Sequence, residues 1–201
     1  MHKIKNIIFD LGGVLMDWNP KYLYSKIFHN EEKMNWFLDH VCTAEWNTQQ
    51  DAGRSFEEGT KLLISQYPEY KEAITAYDFR WEETIRGTLP EAVNMLENLV
   101  AKKKYRIFAL TNWSQEKFPL VRHKYTFFQL FEDILVSGEE KLIKPDPEIY
   151  QLALQRFGIK AEESIFIDDS KKNVIAAEQL GFQVIHYLGT DDLKKLNHLL
   201  D

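Results

Sequence analysis

Continuous apolar runs and helix-spaced apolar stripes alternate along most of this chain, and each run ends on polar residues. The first run, Ile7-Ile-Phe, stops at Asp10 and is followed at once by Gly12-Gly13. A strand buried on both faces reads as such an uninterrupted run, and a glycine pair frees the backbone to turn directly after it. Over residues 18–87 the pattern changes: aromatic and charged residues recur at helical spacing and strand-like runs disappear. Tyr22 and Phe28 follow Pro20, Trp36-Phe37 and Val41 form the next apolar face, and Leu62, Leu63 and Tyr67 form another, with Gly53 and Pro68 as punctuation. This stretch predicts a helical lobe.

From Pro90 onward helices and strands alternate. Val93, Leu96 and Val100 mark one face of a helix, and residues 105–110 form a strand ending at Thr111-Asn112. Ile134-Leu-Val is a short buried strand, and the loop after it carries Lys144. Asp146-Pro147 supplies a cap residue and a proline at the first helical position; Ile149, Leu152, Ala153 and Phe157 form that helix's stripe, and Gly158 ends it. Residues 164–167 are the next strand, ending at Asp168-Asp169. A helix over 174–180 is stopped by Gly181, and a strand over 183–188 precedes a short C-terminal helix. Strands alternating with helices predict right-handed crossovers and a parallel α/β sheet covered on both faces.

Composition narrows the class. With 44% hydrophobic and 28% charged residues among 201, the chain is an ordinary globular protein of one core, or a core with a small lobe. A net charge of -6, with Lys102-Lys103-Lys104 as the longest basic run, provides no face for a polyanion, so no nucleic-acid partner is expected. The single cysteine, Cys42, excludes an internal disulfide and a cysteine-rich metal site and fits a reducing compartment. No apolar run approaches membrane-spanning length and the start lacks the apolar run of a signal peptide; a cytoplasmic monomer or homodimer without membrane contact is expected.

Four polar signatures, Asp10, Thr111-Asn112, Lys144 and Asp168-Asp169, each lie just beyond a predicted strand. Parallel strands place those ends on one sheet edge, where open α/β sheets bind ligands. A carboxylate, a lysine and a hydroxyl around one point, with two more acids opposite, are poor for hydride transfer. They suit an anionic substrate held with a hard cation such as Mg2+, which takes carboxylate and phosphate oxygens. Asp10 is then placed to attack phosphorus, with the metal and Lys144 neutralising the phosphoryl oxygens and Thr111 holding another.

In order, Asp10-Leu-Gly-Gly-Val-Leu, Leu110-Thr-Asn, Lys144-Pro-Asp-Pro-Glu-Ile-Tyr and Ile165-Phe-Ile-Asp-Asp-Ser resemble the four motifs of the haloacid dehalogenase-like (HAD) hydrolase superfamily. The match spans essentially the whole chain, and the Asp-Leu-Gly pattern is similar to the branch containing glucose-1-phosphate phosphatases. The resemblance implies a Rossmann-like, three-layer α/β core over residues 1–16 and 88–201, with the Asp10 strand central and a helical cap inserted over 17–87. It implies an aspartyl-phosphate on Asp10, and a transferring group bound by Thr111, Asn112 and Lys144. It also implies Mg2+ held by Asp10, Asp168, Asp169 and the carbonyl of Gly12. The implied substrate is a small phosphorylated metabolite, a sugar 1-phosphate among the options.

One position departs from the family pattern. Its phosphatases usually carry a second aspartate two residues after the nucleophile as general acid and base, and here that residue is Gly12. A positioned acid or base contributes ~10^2 to 10^4 in rate. Sugar 1-phosphates fit the deficit, because the anomeric oxygen leaves as a weaker base than an ordinary alkoxide. Asp17, His29, His40 and His123 are the spare proton carriers by sequence, and Trp18, Asn19, Trp46, Asn47 and Arg54 are the cap candidates for touching a leaving group. Two other readings stay open. A 2-haloacid dehalogenase would lack the acid pair, since carboxylates beside Asp10 repel one another without a cation. A phosphate-ligand-binding protein on the same fold would carry Gly12 as the scar of lost catalysis. A dinucleotide module is opposed by the absence of three spaced glycines opening a helix.

Overall fold

The computed structural model describes residues 3–200; Met1, His2 and Asp201 lie outside them. Among the described residues the strands are β1 (Asn6–Phe9), β2 (Met16–Trp18), β3 (Ile85–Thr88), β4 (Arg106–Thr111), β5 (Asp133–Val136), β6 (Ser164–Asp168) and β7 (Gln183–His186). Five of them form one sheet in the order β5-β4-β1-β6-β7, every neighbouring pair parallel. The predicted parallel α/β sheet is therefore what forms, with the Asp10 strand at its centre. Chain order reverses at β1, which leaves β4 on one side and β6 on the other. That switch point is where such sheets open a crevice.

Strand alternation sorts the apolar residues into two cores. Ile7, Phe9, Ile107, Ala109, Ile134, Val136, Ile165 and Ile167 point to one face. Ile8, Phe108, Leu110, Leu135 and Phe166 point to the other. Successive side chains of a strand must face opposite ways, so a continuous apolar run feeds both layers at once. The first face is covered by α6 (Pro90–Ala101), α7 (Phe118–Arg122) and α11 (Thr190–Leu200), and the second by α9 (Pro147–Phe157) and α10 (Lys171–Gln179). A one-turn helix, α8 (Ser137–Glu140), follows β5 directly.

Helices α1 (Lys21–Tyr24), α2 (Glu31–His40), α3 (Ala44–Asp51), α4 (Phe56–Gln66) and α5 (Lys71–Phe79) make up the lobe between β2 and β3. Side chains of Asn30, Thr43 and Ser55 accept the exposed N–H groups that open α2, α3 and α4. Aromatics fill its interior: Tyr24 lies 4.9 Å from Phe37 and Trp46 lies 5.2 Å from Tyr77, ring centre to ring centre. Trp36 and Phe79 are exposed instead, Trp36 stacked on His40.

The expectation that strands disappear over 18–87 needs correcting at both ends. Met16 pairs with Thr88 and Asp17 with Gly87 in an antiparallel ribbon through which the chain enters and leaves the lobe. Each strand is only three or four residues long, half-buried, and interrupted by Asp17 or Arg86, so neither makes an apolar run. No helix among the described residues is long and apolar enough to cross a membrane.

Phe9, the last residue of β1, has no exposed surface. Phe9→Ala is expected to lower stability by about 3–5 kcal/mol, read as a fall in the denaturant midpoint at unchanged slope.

Candidate active site

Asp10 extends β1 by one residue: its N–H donates to the Ile167 carbonyl (2.8 Å), and its Oδ1 accepts from the Leu11 N–H (2.7 Å). The chain then folds tightly back, with the N–H groups of Leu15 and Met16 both donating to the Leu11 carbonyl at 2.8 Å. Gly13 makes this turn possible. Its φ is +74°, and a Cβ there would collide with the carboxylate of Asp169. Gly12 borders the cavity and bridges to Met16, and a Cβ on it would meet no atom within 4 Å.

Lys144 is wholly buried, and its Nζ lies 3.0 Å from Asp10 Oδ1, 2.6 Å from Asp168 Oδ2 and 2.8 Å from the Leu110 carbonyl. Asn112 braces it from behind: the Lys144 N–H donates to Asn112 Oδ1 (2.8 Å), and Asn112 Nδ2 donates to the Lys144 carbonyl (2.9 Å). The carboxamide expected to bind substrate is thus engaged with the Lys144 backbone. Thr111, at the end of β4, has a buried Oγ1 with no partner among the described residues. A hydroxyl buried without a partner on this edge marks a place for an external oxygen.

Asp168 and Asp169 differ in surroundings. Asp168 is buried, with Oδ1 accepting from the Ser170 N–H (2.8 Å) and Asn173 Nδ2 (3.0 Å), while Oδ2 faces Lys144. Asp169 is exposed at the rim beside Gly13. One oxygen each from Asp10, Asp168 and Asp169 can be chosen within 4.8 Å of one another. Three hard oxygen donors so close fit a small divalent cation, with Asp10 and Asp169 freer to ligate than the engaged Asp168. The electrostatics agree. Burial pushes Asp10 up to about 7; Lys144 opposes this, and Asp168 and Asp169 add to it. Burial, then Asp168, raises Asp169 as well. Burial alone would lower Lys144, but Asp10 and Asp168 outweigh it and hold the ammonium above its usual range.

A cavity of about 440 Å3 opens above these groups, lined by Asp10, Gly12, Gly13 and Asp169 from the sheet edge and by Trp18, Asn19, Asn47, Asp51 and Trp81 from the lobe side. Trp113, Ser114, Lys172 and Asn173 complete much of its wall. Of the residues proposed from sequence to touch a leaving group, Trp18, Asn19 and Asn47 are there. Trp46 is packed in the lobe, its indole N–H donating to the Gly59 carbonyl (3.2 Å). Arg54 is engaged within the lobe, with Gln50 Oε1 (2.7 Å) and the Trp46 carbonyl (3.1 Å). None of the four spare proton carriers lines the cavity. Asp17 accepts from the Tyr22 hydroxyl (2.7 Å), His40 contacts the Trp36 carbonyl (2.9 Å), and His29 and His123 are exposed. Sequence reasoning missed Asp51, Ser114, Lys172 and Asn173. Asn173 alone had a readable signal, a polar residue beside Val174 on the stripe of the helix that follows the acid pair.

The family model described as haloacid dehalogenase-like hydrolase matches residues 4–181. The chain belongs to the haloacid dehalogenase-like hydrolase family. Among its relatives, the sesquiterpene phosphatase astK of Aspergillus oryzae is 29% identical over 94% of this chain and 91% of its own length. A phosphorylated carbohydrates phosphatase of Thermotoga maritima is 29% identical over 90% of this chain and 83% of its own. A HAD family enzyme of Bacteroides thetaiotaomicron, solved with magnesium and inorganic phosphate, superposes with a TM-score of 0.66 at 26% identity, covering 90% of this chain and 92% of that one.

Within this HAD-like hydrolase, a Cβ on Gly13 would overlap Asp169 Oδ2. Gly13→Ala is expected to leave the protein folded by circular dichroism while weakening binding of a divalent cation at least tenfold by calorimetry, because the new Cβ displaces Asp169. Unchanged affinity would show that Asp169 does not ligate.

Proposed function

We propose that the chain is an Mg2+-dependent phosphomonoester hydrolase that works through an aspartyl-phosphate on Asp10 and acts on a small phosphorylated metabolite, a sugar phosphate such as a sugar 1-phosphate. The observation that carries this reading is the Lys144 ammonium held between Asp10 and Asp168 beside the unpartnered Thr111 hydroxyl. It orients a carboxylate nucleophile and offers charge and a hydrogen bond to the group being attacked. The phosphatase relatives and the magnesium and phosphate complex of the Bacteroides enzyme support it.

Asp10, Asp169 and the Gly12 carbonyl would hold the metal, with Asp168 behind them. Bound there, the cation screens phosphoryl charge so that an anionic nucleophile can approach. Asp10 attacks phosphorus and carries the phosphoryl group. Thr111 Oγ1 donates to one phosphoryl oxygen and Lys144 supports another. Asn112 keeps Lys144 in place through its backbone. Residues 17–87 act as a cap: Ser137 Oγ donates to the Asp51 carbonyl (2.6 Å), Glu116 accepts from the Phe56 N–H (3.2 Å), and Lys117 pairs with Asp78. These ties hold the lobe over the site and exclude water.

The cavity suits a polyhydroxylated leaving group. Trp18, Trp81 and Trp113 present aromatic surface, Asn19 and Asn47 offer amides, and the buried Trp113 indole N–H has no partner among the described residues. About 440 Å3 falls in the range of small-molecule pockets.

With Mg2+ and a panel of sugar 1-phosphates, sugar 6-phosphates and nucleotides, phosphate release is expected to favour anomeric phosphates. It should fall by about 10^4-fold or more in Asp10→Asn and vanish on chelation. Turnover surviving in Asp10→Asn or in chelator would contradict the proposal.

A further inference from the structure

Phosphomonoester hydrolysis needs a proton for the departing oxygen and a base for the attacking water. Gly12 supplies neither. We infer that Asp51, the last residue of α3, is the catalytic proton carrier of this site, an inference that rests on the phosphomonoesterase reading above.

Among the described residues, four ionisable side chains line the cavity: Asp10, Asp51, Asp169 and Lys172. Asp10 is occupied as nucleophile and Asp169 stands with the cation-binding oxygens. Lys172 is exposed, and an ammonium has donors but no acceptor. Asp51 is the one left with a free role. It is also fixed in place. Asn47 Nδ2 donates to its Oδ2 (3.0 Å), and its own carbonyl accepts from Ser137 Oγ (2.6 Å). Ser137 Oγ in turn accepts from the Trp113 N–H (2.9 Å). Asp51 is therefore clamped to the loop that follows Thr111, so a lobe carboxyl is held in the cavity that the nucleophile lines. Its surroundings tune it: burial pushes its carboxyl up to about 7, the Ser114 N–H pulling the other way. An acid with that affinity can both give and take a proton near neutral pH.

In the first half-reaction the bond from Asp10 oxygen to phosphorus forms as the bond from phosphorus to the ester oxygen breaks. The Asp51 carboxyl proton passes to that oxygen, and an alcohol leaves. In the second, the Asp51 carboxylate takes a proton from water as the water oxygen bonds to phosphorus and the bond to Asp10 breaks. Inorganic phosphate leaves and both side chains return to their starting states.

The test compares an alkyl phosphate with p-nitrophenyl phosphate, whose leaving group departs unprotonated, using the Mg2+-loaded full chain. In Asp51→Asn, kcat/KM on the alkyl ester is expected to fall by about 10^2 to 10^4, while the burst of nitrophenolate stays within about threefold of wild type and the later steady state slows. The retained burst also shows that the variant folds. Because Gly12 faces open space, Asp51→Asn combined with Gly12→Asp places a carboxyl on the other side of the gap. This variant is expected to regain at least about tenfold on the alkyl ester. Equal loss on both esters without that gain, or no loss on the alkyl ester, overturns the inference. A wild-type chain that hydrolyses neither ester defeats the phosphatase reading itself, and this inference with it.

Discussion

The site depends on one buried cation. Lys144 has no solvent contact, and its ammonium is shared among Asp10, Asp168 and the Leu110 carbonyl. Three carboxylates converge here, two of them buried, and Asp168 and Asp169 add to the cost of ionising Asp10. A lysine amid them opposes the upward push that burial and the neighbouring acids put on Asp10. Such a cluster gives little net stability, since desolvation offsets attraction, but loss of one partner strands the others. Its geometry is therefore enforced from outside, by Asn112 on the Lys144 backbone and by Asn173 and the Ser170 N–H on Asp168.

The fold explains how these groups meet. They come from residues as far apart as Asp10 and Asn173, and parallel pairing brings their strand ends to one edge. The lobe then closes on that edge through backbone-directed bonds from Ser137, Glu116 and Lys117. In the proposed reaction the core supplies the charge, and the junction with the lobe supplies aromatic, amide and carboxyl groups above it.

Much of this was legible in the sequence. Apolar runs ending in Asp10, Thr111 and Asp168 carry the sheet and its reactive edge in a pattern that local periodicity can express. The β2–β3 ribbon was not legible, because Asp17 and Arg86 break any alternation and its pairing joins residues about seventy apart. Asp51 was hidden for a related reason. In the run Asn47-Thr-Gln-Gln-Asp51 it reads as a solvated helix end, and only the docking of α3 against the core half-buries it. Asn112 shows a second case: its motif pointed to the site, and it lines the cavity while its carboxamide also bonds the Lys144 backbone.

The central claim is that the Lys144 cluster makes Asp10 a nucleophile. The most direct measurement is rapid acid quenching of the Mg2+-loaded chain during turnover, followed by peptide mass spectrometry. One phosphoryl group on the peptide carrying Asp10, absent from Asp10→Asn, is the expected result. Turnover with no covalent phosphate on that peptide, or with the phosphate on another residue, would contradict the account.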